Sequence, residues 1–526
     1  MVQTLQGLKP KILQIQSLQN GKKIDLAAKA SDRDGLGSSS CRSVDHFEDI
    51  LLSSIKINLD VITTYNLVSE LPIDGMQMVA LEFETGSGKF KLGELDGNGD
   101  IVPDSGELYV YKVSAIDTQR QASKFTIHLA SLEYFKNSTT FCRKRYGGGD
   151  LLARISRDKK KSGIPQSVLD ANPDLDPNKP GDYIKLKRKS PPVDTAMKIS
   201  DIVDELLITD LNTSRDLEIE ETVNTEVVYG NSRHPFSIIQ SLCPKSIPKT
   251  QTSGQNGDEG TTRGQALGAC GFLFYERNNP NNSNTTLCFR SMDAMVSSTR
   301  VNTGESDSGE KIGNVEIHGK KQPYEWRGLG AIDSNKLDAN FQILNYVVEK
   351  NTDIRKAMAT GMYANTTIYY NTLTHNVSFY DYDLVEQLED KTLSNDNIPH
   401  VPMPNVSRIM YRVSNHGMSG MGGRGLDESG GSNADRADVA KSTARYNLLF
   451  TQSLNISIPL NTNMKVGDII ICKFPRLTGG ETKQADPLHS GKYLIRALRH
   501  HIEPNVNTTS LKLIRDSYGF TESVST

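Results

Sequence analysis

The chain has 526 residues, which at about 150 residues per domain leaves room for three or four domains. Its 60 Lys and Arg against 63 Asp and Glu give a formal net charge of −3, so no basic excess argues for wrapping nucleic acid or lying on a membrane surface. The hydrophobic fraction is 36%, low enough to point to sheets with one wet face, long loops, or surface that is buried only on assembly.

The first sixteen residues, MVQTLQGLKPKILQIQ, have no apolar h-region, so no secretory signal is expected. The longest apolar runs, such as Val466 to Cys472, are broken by Gly467 and Asp468 and fall far short of the ~20 residues that cross a bilayer. A soluble protein made in the cytoplasm, with no membrane anchor, is expected.

From Ser53 to Thr63 (SSIKINLDVIT) the residues Ile55, Ile57, Leu59 and Val61 alternate with polar ones, the period of a half-buried strand. The pattern returns in Met76–Thr85, Leu108–Ile116 and Phe125–Leu132, with turn-rich stretches between them, which is the spacing of a meander or small barrel. Glu133–Tyr146 reads as a helical or irregular exit. Residues 147–195 are polar and proline-rich, carry Lys159–Lys161, and read as a surface excursion. A helix is expected over Ala196–Leu207, whose apolar positions 199, 202, 203, 206 and 207 share one face, and another over Pro235–Leu242, with Pro at an early position where its missing N–H costs little. Short strands at Phe272–Tyr275 and Leu287–Arg290 follow the Gly- and Thr-rich stretch 251–268. The last third returns to strands at Thr366–Tyr370, Asn376–Tyr380, Leu454–Ile458, Ile469–Phe474, Lys492–Leu498 and Ser510–Arg515. Between them lie the glycine-rich loop Gly417–Asn433 and a helix candidate at Ala434–Phe450. First and last thirds share a style, short alternating strands around long insertions, without an exact sequence repeat.

Six cysteines at 41, 142, 243, 270, 288 and 472 form no CxxC pair, so neither a disulfide framework nor a zinc site is indicated; Cys243, Cys288 and Cys472 sit in apolar segments and read as small buried hydrophobes. His500–His501 follows a strand, so one ring should point in and the other out. The strongest local signal is LDGNGDIVPDSGE. Asp96, Asn98, Asp100, Asp104 and Glu107 fall at positions 1, 3, 5, 9 and 12 of a twelve-residue calcium loop. Two features depart from that pattern: Ile101 stands where the turn needs glycine, and strands rather than helices flank the loop. An acidic hairpin excursion is the alternative. Ca²⁺ is the one cofactor candidate, and none is required. No GxSxG, HExxH or GxxxxGK[ST] occurs, and the single tryptophan, Trp326, offers little for stacking sugars. A non-enzymatic role is expected.

Several phrases, in order, resemble the baseplate hub subunit of T-even-type contractile phages, including those of cyanobacteria. They are ILQIQSLQNGKKIDL, DHFEDILLSSIKINLDVITTYNLVSELPIDGMQMVALEFET and ELYVYKVSAIDTQRQASKFTIHLASLEYFKNSTTFCRKRY in the first part. LEIEETVNTEVVYGNSRHPFSIIQSLCPKSIPK, GFLFYER and LCFRSMD follow in the middle, then MKVGDIIICKFP, SGKYLIRALRHHI and TTSLKLIRDSYGF at the end. The resemblance implies an α+β, mainly antiparallel β fold, in which two tail-tube-like β-barrel or sandwich domains are joined by α+β domains. The first would span 1–140 with a loop insertion at 86–107, the middle region 141–345, and the second 346–526 with an insertion at 386–450. It also implies a homotrimeric ring that adapts a sixfold tail tube to a threefold central spike and lines the DNA channel. The partners would be the spike, the tube initiator and tube proteins, the tape-measure carboxyl terminus and baseplate wedge proteins, with DNA met only in transit. The location would be the virion tail baseplate, assembled in the host cytoplasm. A hub or spike of a related contractile injection system, or a tail-associated peptidoglycan hydrolase, are the alternatives.

Overall fold

Strict alternation of side chains buries one face of a strand, and in the computed structural model Ile57, Leu59 and Val61 are fully buried while their neighbours are not. The structure describes residues 11–18, 21–26, 39–63, 75–85, 88–118, 123–146, 197–222, 224–248, 271–279, 283–296, 311–312, 315–318, 322–326, 340–350, 353–371, 375, 377–384, 407–414, 420–421, 438–476, 485–486, 488–503 and 506–517. The first module comprises β1 (Ile12–Gln16), β2 (Lys23–Asp25), β3 (Ser39–Asp49), β4 (Lys56–Thr63), β5 (Met78–Thr85), β6 (Gly88–Leu92), β7 (Leu108–Thr118) and β8 (Ser123–Ser131). The strands run β2–β1–β5–β7–β8–β4–β3, all antiparallel, with β6 on the far half of β5. Their inward residues, among them Leu13, Val79, Phe83, Phe90, Val110 and Phe125, make one core.

The middle of the chain is α+β. Helix α1 (Leu132–Thr139) leaves β8, and α2 (Ile199–Asp204) widens into a π-turn over Glu205–Asp210, so the expected helix at 196–207 is shorter and changes pitch. β9 (Asp216–Ile219) follows, then α3 (Pro235–Leu242), with its proline in the first turn as anticipated. β10 (Phe272–Asn278) and β11 (Thr285–Ser291) form a hairpin in which every residue is buried, and β9 adds to it in parallel. The polar stretches 147–195 and 251–268, and most of Gly417–Asn433, lie outside the described residues.

The second module begins before residue 346. β12 (Val315–His318) and β13 (Tyr324–Trp326), from the expected middle region, pair with its strands, and β14 (Asn345–Lys350) opens its main sheet. The strands expected at 366–380 do not join it. β15 (Ala364–Asn371), β16 (Val377–Asp383) and β17 (Arg408–Ser414) form a separate sheet that packs its inner face on α4 (Asp438–Leu449), with Met362, Tyr382, Ala440, Ala444 and Leu448 as a core of its own. The described residues from 353 to 451 thus form an insertion that begins earlier than the expected 386–450. The chain then returns in β18 (Gln452–Pro459), β19 (Ile469–Lys473), β20 (Gly491–Ile502) and β21 (Asn507–Arg515), ordered β14–β18–β21–β20 with β19 on the first half of β20. Ile456, Ile469, Leu494, Leu511 and Leu513 belong to its core. Strands hold 53% of the described residues against 19% in helices, so the architecture is mainly antiparallel β. Among the described residues neither module closes into a barrel. Closure would pair the two end strands of a module with each other, whereas β3 gives its free edge to the second module.

The two modules repeat one another strand for strand: β3, β4, β8, β7 and β5 correspond to β14, β18, β21, β20 and β19. In the first, Met76 N–H donates to Val110 O (2.8 Å) and Val110 N–H to Gln77 O (3.0 Å); in the second, Gly467 N–H donates to Ile495 O (2.9 Å) and Ile495 N–H to Asp468 O (2.8 Å). Met76 and Gly467 share the left-handed backbone, with φ of 64° and 85°. The register then slips by one residue after Val110 in β7 and after Ile495 in β20. Strand entry matches too, with Gly106 at φ 101° and Gly491 at φ 135°. The repeat is not complete. The strand beyond β5 is the antiparallel β1, whereas β12 and β13 lie parallel to β19.

Candidate functional site

The joint between the modules is the feature on which any mechanical role depends. β3 and β20 pair antiparallel from Val44–Ile502 to Asp49–Ala497, which merges both modules into a single sheet of 17 strands. Because side chains alternate, one face of this joint is dry and the other wet. On the wet face Arg499 donates two hydrogen bonds of 2.8 Å to Asp45, a fork that matches the carboxylate, and His501 Nδ1 lies 2.5 Å from the same group. On the dry face His46 and His500, opposite each other in register, stack at 5.6 Å with 12° between planes, and Phe90 meets His46 edge-on at 4.9 Å. Burial holds both imidazoles in the neutral form, His500 down to about 4 and His46 well below its ordinary value, where the neighbouring His500 adds to the effect. The expectation of one histidine in and one out at 500–501 holds: His500 is 1% exposed and His501 half-buried.

Two residues further along β3, Glu48 is buried and ties three elements together. It accepts Asn278 N–H at 2.9 Å from the middle hairpin and Val466 N–H at 3.2 Å from the second module. Burial raises its carboxyl to about 8, the two N–H donors and Arg277 opposing that rise only in part. The hairpin β10–β11 braces the joint in both directions. Glu276 reaches the first module, accepting from Ile55 N–H (3.0 Å) and Ser131 Oγ (2.8 Å), and burial raises its carboxyl as well. Arg277 turns the other way, to Glu218 at 2.6 Å and to Asp468 at 3.8 Å, and Asp468 in turn meets His318 at 2.9 Å. A second buried pair, Arg215–Glu133 at 2.7 Å, fastens α1 to the middle region, while Arg215 also donates to Glu107 O at 3.0 Å. Gly106 completes this contact. A Cβ there would stand 2.0 Å from Ser283 O, so only glycine lets the hairpin turn approach β7 so closely.

Glu48, Glu133, Arg215, Glu276 and Arg277 did not stand out in the sequence. The signal was present in GFLFYER, where Glu276 and Arg277 continue a run that is apolar on both faces, and a charge in such a run must be paired. The thiols are where they were expected, Cys243, Cys288 and Cys472 all being buried. Burial pushes the thiols of Cys243 and Cys288 up to about 12, so neither offers a thiolate at neutral pH.

The five residues of the calcium pattern do not converge. Asp96 turns its Oδ1 onto the N–H groups of Asn98 and Asp100, both at 2.8 Å, and these bonds, chiefly that of Asp100, hold it below the usual carboxylate range. Asp100 meets Lys23 Nζ at 3.3 Å, and the backbone oxygen of Asn98 accepts from the same ammonium at 2.9 Å. Asp104 accepts from Ser214 Oγ at 2.9 Å. Glu107, fully buried, accepts from the N–H groups of Asp104 and Ser105 and from Tyr109 O–H at 2.8 Å. This donor set does not fit a calcium cage, which needs six to eight oxygens aimed at one point. Among the described residues, no group of three or more His, Cys, Asp or Glu could hold a metal ion, and no helix is long and apolar enough to cross a membrane. Lys159–Lys161 lies outside the described residues.

No family model matches the chain. Over 69 residues it is 35% identical to a probable baseplate hub protein of Vibrio phage KVP40, a stretch that spans 13% of this chain and 16% of that protein. Among solved structures it is similar to a tail protein from Neisseria meningitidis MC58, at 8% identity and a TM-score of 0.47 over 98% of this chain and 97% of that one. A 43 kDa tail protein of prophage MuSo2 from Shewanella oneidensis gives 8% identity and a TM-score of 0.42 over 97% and 98%.

Proposed function

We propose that this chain is a structural, non-enzymatic subunit of the baseplate hub of a contractile phage tail. The observation that supports this most is the tandem β-module, repeated down to a shared bulge and left-handed residue and fused edge to edge through β3 and β20. The local similarity to a probable phage baseplate hub protein points the same way. Three such chains in a ring present six like modules, which lets a threefold spike on one side meet a sixfold tube on the other. In this reading the ring also holds the tape-measure carboxyl terminus until the spike departs, and then passes DNA through its lumen. Tube initiator, tube and wedge proteins would contact its faces, within a virion assembled in the host cytoplasm.

The role asked of the protein is stiffness. A ring under the load of tail contraction must not hinge between modules, and a continuous ladder with buried ion pairs and carboxyl–N–H bonds across it opposes hinging because shear would part those groups. Multi-angle light scattering of the purified chain tests the assembly, with three chains per particle expected. Electron microscopy of virions tests the location, with density for this chain between spike and tube.

A further inference from the structure

The repeat implies a second joint. Within one chain, β20 pairs with β19 along its first half and with β3 along its second, from Ala497 to Ile502. Its counterpart β7 pairs with β5 only at Leu108 and Tyr109, and beyond the bulge, from Lys112 to Thr118, no strand lies on that edge among the described residues. The counterpart of β3 is β14, which pairs with β18 on one side and, among the described residues, with no strand on the other. One chain therefore holds one filled joint and the two halves of another, at opposite ends of the tandem.

We propose that the outer edge of β7, residues 112–118, pairs antiparallel with the outer edge of β14 of a second copy, reproducing between chains the β3–β20 joint within the chain. This rests on the ring reading above and supplies its contact. The two edges differ from one another, so the interface is heterologous and propagates around a ring instead of ending at a dimer. The β3–β20 ladder also fixes the register. Asp117 lies opposite Lys124 as His501 lies opposite Thr508, and Val347 lies opposite Asn455 as Asp45 lies opposite Asn58. Since His501 pairs with Asp45, Asp117 should face Val347 of the neighbouring copy, and Thr118 should face Tyr346. Val347 is a 54% exposed valine on an open edge, an arrangement that invites pairing. Each edge also carries one register slip, between Ser114 and Asp117 in β7 and between Val348 and Lys350 in β14. Facing each other at the same level, these bulges match one another and mismatch a straight strand, which limits pairing to the correct partner.

The test uses the full chain with Asp117→Cys in one preparation and Val347→Cys in another. Each is held with a mild oxidant alone and mixed, beside the wild type as a control for the native thiols. Residues directly opposite across a ladder place their Cβ atoms about 4.5–5.5 Å apart, near disulfide range. The expected result is a two-chain band on a non-reducing gel only in the mixture, and a three-chain product from the double variant. Val347→Lys, a charge placed on an exposed edge, should abolish the trimer in light scattering while leaving the circular dichroism spectrum of the folded chain unchanged. A wild-type trimer without the mixed disulfide would overturn this joint and leave the ring standing. A wild-type monomer without any disulfide would remove both.

Discussion

Ile50 and Ile502 sit in each other's cores. Ile50 directly follows β3 of the first module and is packed in the core of the second; Ile502 ends β20 of the second and is packed in the core of the first. Each lies three residues beyond a member of the Phe47–Arg499 pair, so the joint has a local twofold at its centre, with Arg499 over the Phe47 ring at 5.7 Å. Substituting Ile50→Ala or Ile502→Ala should each cost about 2–5 kcal/mol, the range for truncating a buried isoleucine. Because the cavity opens in the other module, both modules should still melt in one transition. Urea unfolding followed by two probes, one per module, checks this, and separated midpoints would show that the joint does not couple them.

Stability should fall from about pH 6.5 toward pH 8 for a reason local to the dry face. Glu48 has its folded pKa raised from 4.5 to about 8, so between those values the unfolded chain binds fewer protons and stability falls as pH rises, by up to about 5 kcal/mol. Glu276 acts in the same direction. His46 and His500 have folded values below 6.5, so below that pH the unfolded chain binds more protons and stability falls as pH drops. The two limbs oppose one another between about pH 4.5 and 6.5, and above 6.5 only the carboxyl limb is left, so stability falls toward about pH 8. Melting temperatures from pH 5 to 9 should trace that fall, and Glu48→Gln should flatten it. An unchanged alkaline slope in that variant would assign the effect to other groups.

Arg277→Ala should be among the most damaging single changes outside the apolar cores. It takes one partner from each of two carboxylates, Glu218, which keeps Arg290 at 3.2 Å, and Asp468, which keeps His318 at 2.9 Å, so the loss should not exceed the about 3–5 kcal/mol of breaking a buried pair from one side. Arg277→Met in combination with Asp468→Asn should recover much of that loss, since Glu218 keeps Arg290 and no carboxylate is left without a cation. Equal damage from the single and double variants, measured by denaturant unfolding, would contradict the pairing argument.

Much of this fold was legible in the chain and some of it could not be. Pro235–Leu242 and the alternation around Ile57 were readable because local spacing alone decides them. The repeat was hidden because it is written in backbone hydrogen bonds. A Met at 76 and a Gly at 467 fill the same left-handed position, and the ladder constrains where N–H and C=O point more than which side chain is carried. The assignment of 366–380 to the second module failed for a related reason. β15 and β16 have the right alternation, but periodicity says which face is buried and not against what. The acidic loop shows the limit of spacing as a guide to a site. Its five residues have calcium intervals, yet Asp96 and Glu107 satisfy backbone N–H groups of their own turn.

That loop should give a flat calorimetric titration with Ca²⁺. Asp96→Asn, which keeps an acceptor for the Asn98 and Asp100 N–H groups, should leave the melting temperature little changed. Saturable heat that disappears in Asp96→Asn would show that the loop rearranges to take the ion.

A zymogram of the purified chain on peptidoglycan should show no clearing. A band that survives repurification and is lost on heating would argue for a hydrolase.

Fusing two like modules into one polypeptide also settles a question of parity. Any closed ring built from whole chains contains an even number of modules, and no error of assembly can insert or omit a single one. Six unlinked copies would have to count themselves, whereas here half of the counting is done by the peptide bond.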